Sequence, residues 1–243
     1  MGCTNSTGAV ATGAAGKGPF AFKSGLPDCL TSNPENYKVV AELPGVARLV
    51  EMCMKPGAVD KPHDHPAHSM YFATPAKLEI SEVVDGKVGE PHIKSIPAGF
   101  APIFPPGAHV VKNVGDAEAR VLFVEEYPNA PAAGATAAGF VSPFDCSGDC
   151  YTKLAEDDKW VTGVLEMKEG AEDKPHNHKD HLIYVLEGTE ITIYPDCDKA
   201  KGNAIPIKQY AGIPAPASAG PIFTNHCLKN SGGPLKLLFF ERK

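Results

Sequence analysis

The chain has 243 residues, 43% hydrophobic and 21% charged, enough for one large domain or two modest ones that bury cores without disulfides. A net charge of −6 without a basic stripe argues against a nucleic-acid partner, and no apolar run approaches the roughly eighteen residues that span a bilayer. Glycine (24) and proline (23) recur between short apolar runs, which indicates a turn-rich β protein.

The opening "MGCTNSTGAVATGAAGKG" is too polar for a signal peptide. It fits the myristoylation pattern, with Gly2 and Ser6 in the required places and Cys3 as a second acyl site. Two acyl chains would hold the protein to a membrane surface. A small-residue tail that meets a loose pattern by chance is the other open reading. The seven cysteines (Cys3, Cys29, Cys53, Cys146, Cys150, Cys197 and Cys227) are odd in number and scattered. They read as free thiols in a reducing compartment, so a cytoplasmic location is expected, with or without an N-terminal anchor.

The segments "ARLVEMCM", "LEISEVV" and "VLFVEEY", then "WVTGVLEM", "LIYVLEG", "TEITIYP" and "LKLLFFER", predict strands. Turn signals such as "KPGA", "DGKVG" and "SGG" separate them, as in a sandwich or barrel. Only "YTKLAEDDKW" (151–160) offers a turn of helix. The phrase "DKPHDHPAHSMYF" at 60–72 returns as "DKPHNHKDHLIYV" at 173–185, and the match extends on both sides. Met54 pairs with Met167, Gly57 with Gly170, His109 with His226 and Asn113 with Asn230. A repeat of this length is a duplicated domain. The expected organisation is a flexible tail over 1–25, one domain over 26–130 and another over 131–243, joined through "PNAPAAGATAAGF" (128–140).

Gly57 followed by His63-x-His65 resembles the first cupin motif, and Gly170 followed by His176-x-His178 resembles it again. The second cupin motif is matched by Gly99, Pro105-Pro106-Gly107, His109 and Asn113. The second half keeps His226 and Asn230 but has "FTNH" where the Pro-x-Gly turn belongs. The resemblance covers the chain from about residue 38 onward and implies a bicupin: all-β, two tandem jelly-roll β-barrels. Most cupins add a glutamate or glutamine after the first pair, and this chain has none. Counting back from Gly188 reaches His181, whose counterpart is His68, which resembles the four-histidine cupins. The ligands so implied are His63, His65, His68 and His109, then His176, His178, His181 and His226. Each barrel would hold one divalent transition-metal ion, its identity open among iron, manganese, nickel, zinc and copper.

The residues support this on their own terms. Side chains two apart on a strand share a face, so each His-x-His pair projects into one cavity, where a third imidazole closes a facial set. Buried imidazoles without a cation would leave donors and acceptors unpaired, at a few kcal/mol each. Only His92 is left over, and it is expected at the surface. Alternation places Met70 and Phe72, and likewise Ile183 and Val185, inward as core. It turns Tyr71 and Tyr184 outward, for packing or a subunit contact, and points Cys227 away from the site. Pro75 stands where the second half has Gly188, so the first half must turn differently there.

No Ser-His-Asp set or phosphate-cradling loop is present, and no catalytic residue is assigned. The leading expectation is a metal-dependent enzyme acting on a small oxygenated molecule, of dioxygenase type. A metal-dependent lyase or isomerase is the alternative, and a non-catalytic metal- or ligand-binding protein the third. Monomer and homodimer both stay open.

Overall fold

A computed structural model describes residues 19–134, 136, 138–217 and 225–243. Gly2, Cys3 and Ser6 of the acylation pattern, and Phe223 and Thr224 of "FTNH", lie outside the described residues. The first half forms β1 (Tyr37–Leu43), β2 (Ala47–Met54), β3 (His63–His65), β4 (His68–Phe72), β5 (Ala76–Val84), β6 (Lys87–Val88), β7 (His92–Ile96), β8 (Ile103–Phe104), β9 (Gly107–Asn113) and β10 (Ala119–Glu126). The second forms β11 (Tyr151–Glu156), β12 (Trp160–Met167), β13 (His181–Glu187), β14 (Glu190–Pro195), β15 (Asn203–Pro206), β16 (Gly212–Ala215), β17 (His226–Gly232) and β18 (Leu235–Arg242). Each half opens on a single helical turn, α1 (Cys29–Ser32) capped by Asp28 and α2 (Pro143–Cys146) capped by Ser142. No helix among the described residues is long and apolar enough to cross a membrane.

Every apolar run named above lies in a strand. The expected helical turn at 151–160 is absent: Tyr151–Glu156 is β11, paired antiparallel with β12. Its "KLAE" core favours helix, but the ladder with β12 and the burial of Tyr151 outweigh that preference.

One five-stranded sheet has the order β1-β2-β10-β4-β8 in the first half, and its counterpart has β11-β12-β18-β13-β16 in the second. The same arrangement is thus written twice, down to a register shift between Val39 and Ala41 and another between Lys153 and Ala155. Opposite it lies β3-β9-β5, with β6 and β7 beside β5, and in the second half β15-β14-β17. Between the facing sheets sit two apolar clusters. One contains Met52, Phe72, Leu78, Val111 and Phe123, with Met70 against it. The other contains Leu165, Val185, Ile193, Leu228 and Phe239, with Ile183 against it. The inward placement of Met70, Phe72, Ile183 and Val185 follows the alternation.

The two halves are not beads on a string. A third cluster joins them: Leu49, Tyr71, Leu122 and Val124 from the first pack with Trp160, Val164, Leu182, Tyr184 and Phe240 from the second. Tyr71 and Tyr184 therefore face away from the histidines and serve this seam. Tyr184 also donates its hydroxyl to the fully buried Glu51, which pairs with Arg120. Gly212 sits so close to the other half that a Cβ there would lie 2.4 Å from the Val40 carbonyl oxygen.

The repeated motif residues prove to be stitching. Asn113 Nδ2 donates to the carbonyls of Met54 (2.9 Å) and Ala117 (2.8 Å), and Asn230 Nδ2 to those of Met167 (3.1 Å) and Gly233 (2.5 Å). Each asparagine thereby ties a hairpin end to the neighbouring strand. Gly57 and Gly170 hold matching turns at φ 79° and 76°. At Gly188, φ is 136° and a Cβ would press within 2.7 Å of Leu235 Cδ1, whereas Pro75 follows a bend at Ala73 and Thr74 and directly precedes β5.

The cysteine reading needs correction. Cys197 and Cys227 form a disulfide, because Tyr194 pairs with Cys227 and the turn after β14 then brings the two Cα atoms to 5.0 Å. Cys29, Cys53, Cys146 and Cys150 form none. The bond holds Cys227 to the β14 side, consistent with its exclusion from the ligand set.

Candidate metal centres

Strand pairing gathers the histidines. In the first half β3 runs antiparallel to β9 with His63 directly opposite His109. In the second, His176 bridges His226 in the same way. Here the expectation of a strand is only half met, since His176 makes that single bridge and His178 lies outside any strand. The ring centroids of His63, His65 and His109 lie 4.7–5.0 Å apart. Those of His176, His178 and His226 lie 4.5–5.4 Å apart. In each triad one nitrogen per ring falls within 4.8 Å of the other two. His68 opens β4 with its ring 5.0 Å from His65, and His181 opens β13 with its ring 4.4 Å from His178. Six of the eight implied ligands thus form two compact triads, with His68 and His181 beside them. His92 is exposed on β7 and belongs to neither.

The tautomers are set by local backbone. Nδ1 of His63, His68, His176 and His181 faces the carbonyl two residues upstream, of Lys61, Pro66, Lys174 and Lys179, at 2.8–2.9 Å. Nδ1 of His65 and of His178 faces a carboxylate instead, Glu125 Oε1 at 2.8 Å and Glu241 Oε2 at 2.6 Å. An acceptor at Nδ1 places the proton there and leaves the Nε2 lone pair for another use. His176 and His178 bring two such nitrogens to 3.1 Å from each other. Two lone pairs so close and so buried repel unless they share a positive charge. Donors about 2.1 Å from one ion at right angles are about 3.0 Å apart, so the spacing suits a shared transition metal. Two further buried nitrogens, His68 Nε2 and His226 Nδ1, have no hydrogen-bond partner among the described residues.

Glu125 and Glu241 did not figure among the sequence candidates, although both stand next to last in the aligned "VLFVEE" and "LLFFER" segments. Their surroundings differ. Glu125 Oε2 accepts from Arg48 Nε at 2.7 Å, and Arg48 also reaches Asp28 at 2.9 Å. Glu241 has Val161 at the position opposite it on β12, where Glu125 has Arg48 on β2. Among the described residues, its Oε1 accepts the more distant backbone N–H of Lys179, at 3.3 Å. The aromatic walls match: Phe123 stands 5.2 Å from His65 and Phe239 stands 5.7 Å from His178. Phe104, 40% exposed, stands on the outer side of the first centre with its ring 5.7 Å from that of His68.

Burial pushes all eight imidazoles below their usual range, reinforced in both triads by repulsion between neighbouring rings. His181 falls to about 3. All eight are therefore neutral near pH 7, the form that binds metals. Below about pH 6.5 the unfolded chain protonates histidines that the folded protein keeps neutral, so stability falls as pH drops. Burial raises Asp60, Glu125, Glu241 and Asp173, the last to about 7, and these four work in the opposite sense. With eight groups against four, the metal-free protein is expected to melt at a lower temperature at pH 5 than at pH 7. A higher one would contradict the burial of neutral imidazoles.

No family model and no curated relative matches the sequence. Solved structures resemble the fold. A variant of oxalate decarboxylase from Bacillus subtilis has a TM-score of 0.55 at 15% identity, covering 85% of this chain and 72% of that one. The same enzyme's structure at pH 4.6 gives 0.55 at 14% identity, with 85% and 71% covered. A cupin 2 conserved barrel domain protein from Leptotrichia buccalis gives 0.48 at 14% identity, with 85% and 88% covered. What is shared at such identities is an all-β fold with cupin-like neighbours.

Proposed function

We propose that this chain is a bicupin, with domains over 26–130 and 131–243, that holds one divalent transition-metal ion in each half and is an enzyme acting on a small oxygenated molecule. One observation carries the reading. Imidazoles from separate β-segments converge: six of the eight, all but His109 and His226, have Nδ1 anchored outward on a carbonyl or carboxylate, and in each triad one nitrogen per ring comes within 4.8 Å of the other two. His63, His65 and His109 would hold one ion and His176, His178 and His226 the other, with His68 and His181 as the fourth donors. A dipositive ion on neutral ligands supplies an attraction for an anionic or chelating oxygen group.

The protein's part is arrangement. Glu125 and Glu241 fix the rings of His65 and His178 through their Nδ1 protons. Phe123 and Phe239 wall the imidazoles from water. Phe104 and the half-buried His109 stand on the outer side of the first centre. A cavity of ≈ 270 Å³ touches His178, Lys179 and Arg242, room for a small molecule only.

Four nitrogen donors on a six-coordinate ion leave two positions open, which favours a dioxygenase-type reaction. The fold favours a second reading, a metal-dependent lyase, because the similar structures include oxalate decarboxylase and that Bacillus subtilis enzyme has Mn(II) centres. Oxygen separates the two. Metal-free protein loaded with Fe(II) or Mn(II) is offered diketones, phenolics and small dicarboxylates in an oxygen electrode and under argon. Uptake of oxygen matched to substrate loss is expected. Turnover that persists under argon would establish the lyase, and no turnover with any metal would remove the enzymatic reading.

A further inference from the structure

The aspartate of the repeated "DKPH" has a buried partner far away in the chain. The Tyr37 hydroxyl donates to Asp60 Oδ2 at 2.6 Å, and its oxygen lies 3.5 Å from His63 Nε2. The Tyr151 hydroxyl donates to Asp173 Oδ2 at 3.1 Å, and its oxygen lies 3.4 Å from His176 Nε2. The tyrosine and histidine rings meet edge-on at 5.4 Å in both halves, with interplanar angles of 62° and 65°. Both tyrosines and both aspartates are buried. The second oxygen of each carboxylate is also engaged, Asp60 Oδ1 by Asn36 Nδ2 and Asp173 Oδ1 by the Leu228 N–H, each at 2.6 Å. The corresponding stretches "YKVVAE" and "YTKLAE", which open the first strand of each half, thus build one geometry twice.

The phenol proton is committed to the aspartate, so an oxygen lone pair is what faces the imidazole. Nε2 of His63 and of His176 also presents a lone pair, because Nδ1 holds its proton against the Lys61 or Lys174 carbonyl. Two electron pairs meet with no hydrogen between them, as at His176 and His178. Donors about 2.1 Å from one ion lie about 3.0 Å apart at right angles and about 3.4 Å apart where the angle opens to roughly 110°, close to the 3.5 and 3.4 Å found here. The carboxylate plays the same part as Glu125 and Glu241 do for their histidines. It takes the outer proton and so makes the inner atom a better donor.

We propose that Tyr37 and Tyr151 are oxygen ligands of the ions held in their respective halves, an assignment that rests on the reading of the histidine groups as metal centres. Each centre then combines imidazole nitrogens with one aspartate-supported phenol oxygen on the inner side. With four imidazoles and the phenol oxygen on a six-coordinate ion, one position would remain for an exogenous molecule instead of the two that the imidazoles alone would leave.

Cobalt(II) tests this, because its visible absorption follows the number and geometry of its ligands. Full-length metal-free protein is titrated with Co(II) in competition with a colorimetric chelator, as wild type, Tyr37→Phe, Tyr151→Phe and the double variant. Each single variant is expected to change the absorption of one bound ion per chain and to weaken that ion about tenfold or more. Asp173→Asn, which keeps the phenol but removes its charged acceptor, is expected to weaken the second centre with a smaller spectral change. It also stands in should Tyr151→Phe fail to fold. Variants with wild-type spectra and affinities would overturn the tyrosine assignment while leaving the histidine centres intact. A wild type that takes up no Co(II) would overturn both.

Discussion

Arg48→Ala is expected to cost about 3–5 kcal/mol of folding stability and to lower the melting temperature by roughly 6–20 °C. The side chains concerned are among the least exposed in the molecule: Arg48 at 4%, Asp28 at 2% and Glu125 at 0%. The guanidinium is the cation for both carboxylates, and its removal leaves two buried negative charges facing each other. Arg48 also covers the ring of Phe20 at 4.7 Å, so packing is lost as well. The effect should reach the metal centre. Without Arg48, Glu125 is driven further toward its protonated form and no longer pins the His65 Nδ1 proton. Affinity at the first centre should then fall about 10–100-fold while the second is unchanged. Calorimetric unfolding and a two-site metal titration read the two consequences separately. Equal loss at both centres would contradict this wiring.

His178→Ala should remove one metal atom per chain and leave the other. His178 stands at the hub of the second centre, with its Nε2 3.1 Å from that of His176 and its ring stacked between those of His181 and His226. Alanine also strands Glu241, whose stronger contact is the 2.6 Å bond to His178 Nδ1. His65→Ala should be the mirror experiment in the first half, and the double variant should bind nothing tightly. Because metal bound only to the folded state stabilises it, the thermal shift on adding metal should shrink in each single variant and vanish in the double. Metal content is read by elemental analysis after dialysis. A single substitution that empties both centres would mean that the two are not independent.

Much of this was legible in the sequence. The strands announced themselves by short apolar runs between glycine and proline turns; the duplicated phrase located six of the eight clustered histidines, and the second aligned block located His109 and His226. Glu125, Glu241 and the Tyr–Asp pairs did not stand out, although each is repeated, because their roles arise across strands. Glu125 lies opposite His68 and Glu241 opposite His181 only once β10 and β18 have chosen their register. Spacing along the chain does not carry that information. The fusion of the halves did leave a trace. β2 ("ARLVEMCM") and β10 ("ARVLFVEE") are buried along almost their whole length. A sheet wet on one face alternates more cleanly, so such runs mark sheets covered on both sides. The disulfide left none, since Cys197 and Cys227 are brought together by a turn whose path depends on β14 pairing with β17.

The most direct test of the two centres is elemental analysis of the full-length protein, reconstituted with Fe(II), Mn(II), Co(II) or Zn(II) and freed of loose ions. Two tightly held atoms per chain are expected, released by a strong chelator with a fall in melting temperature. Protein that retains no metal after every loading would contradict the account.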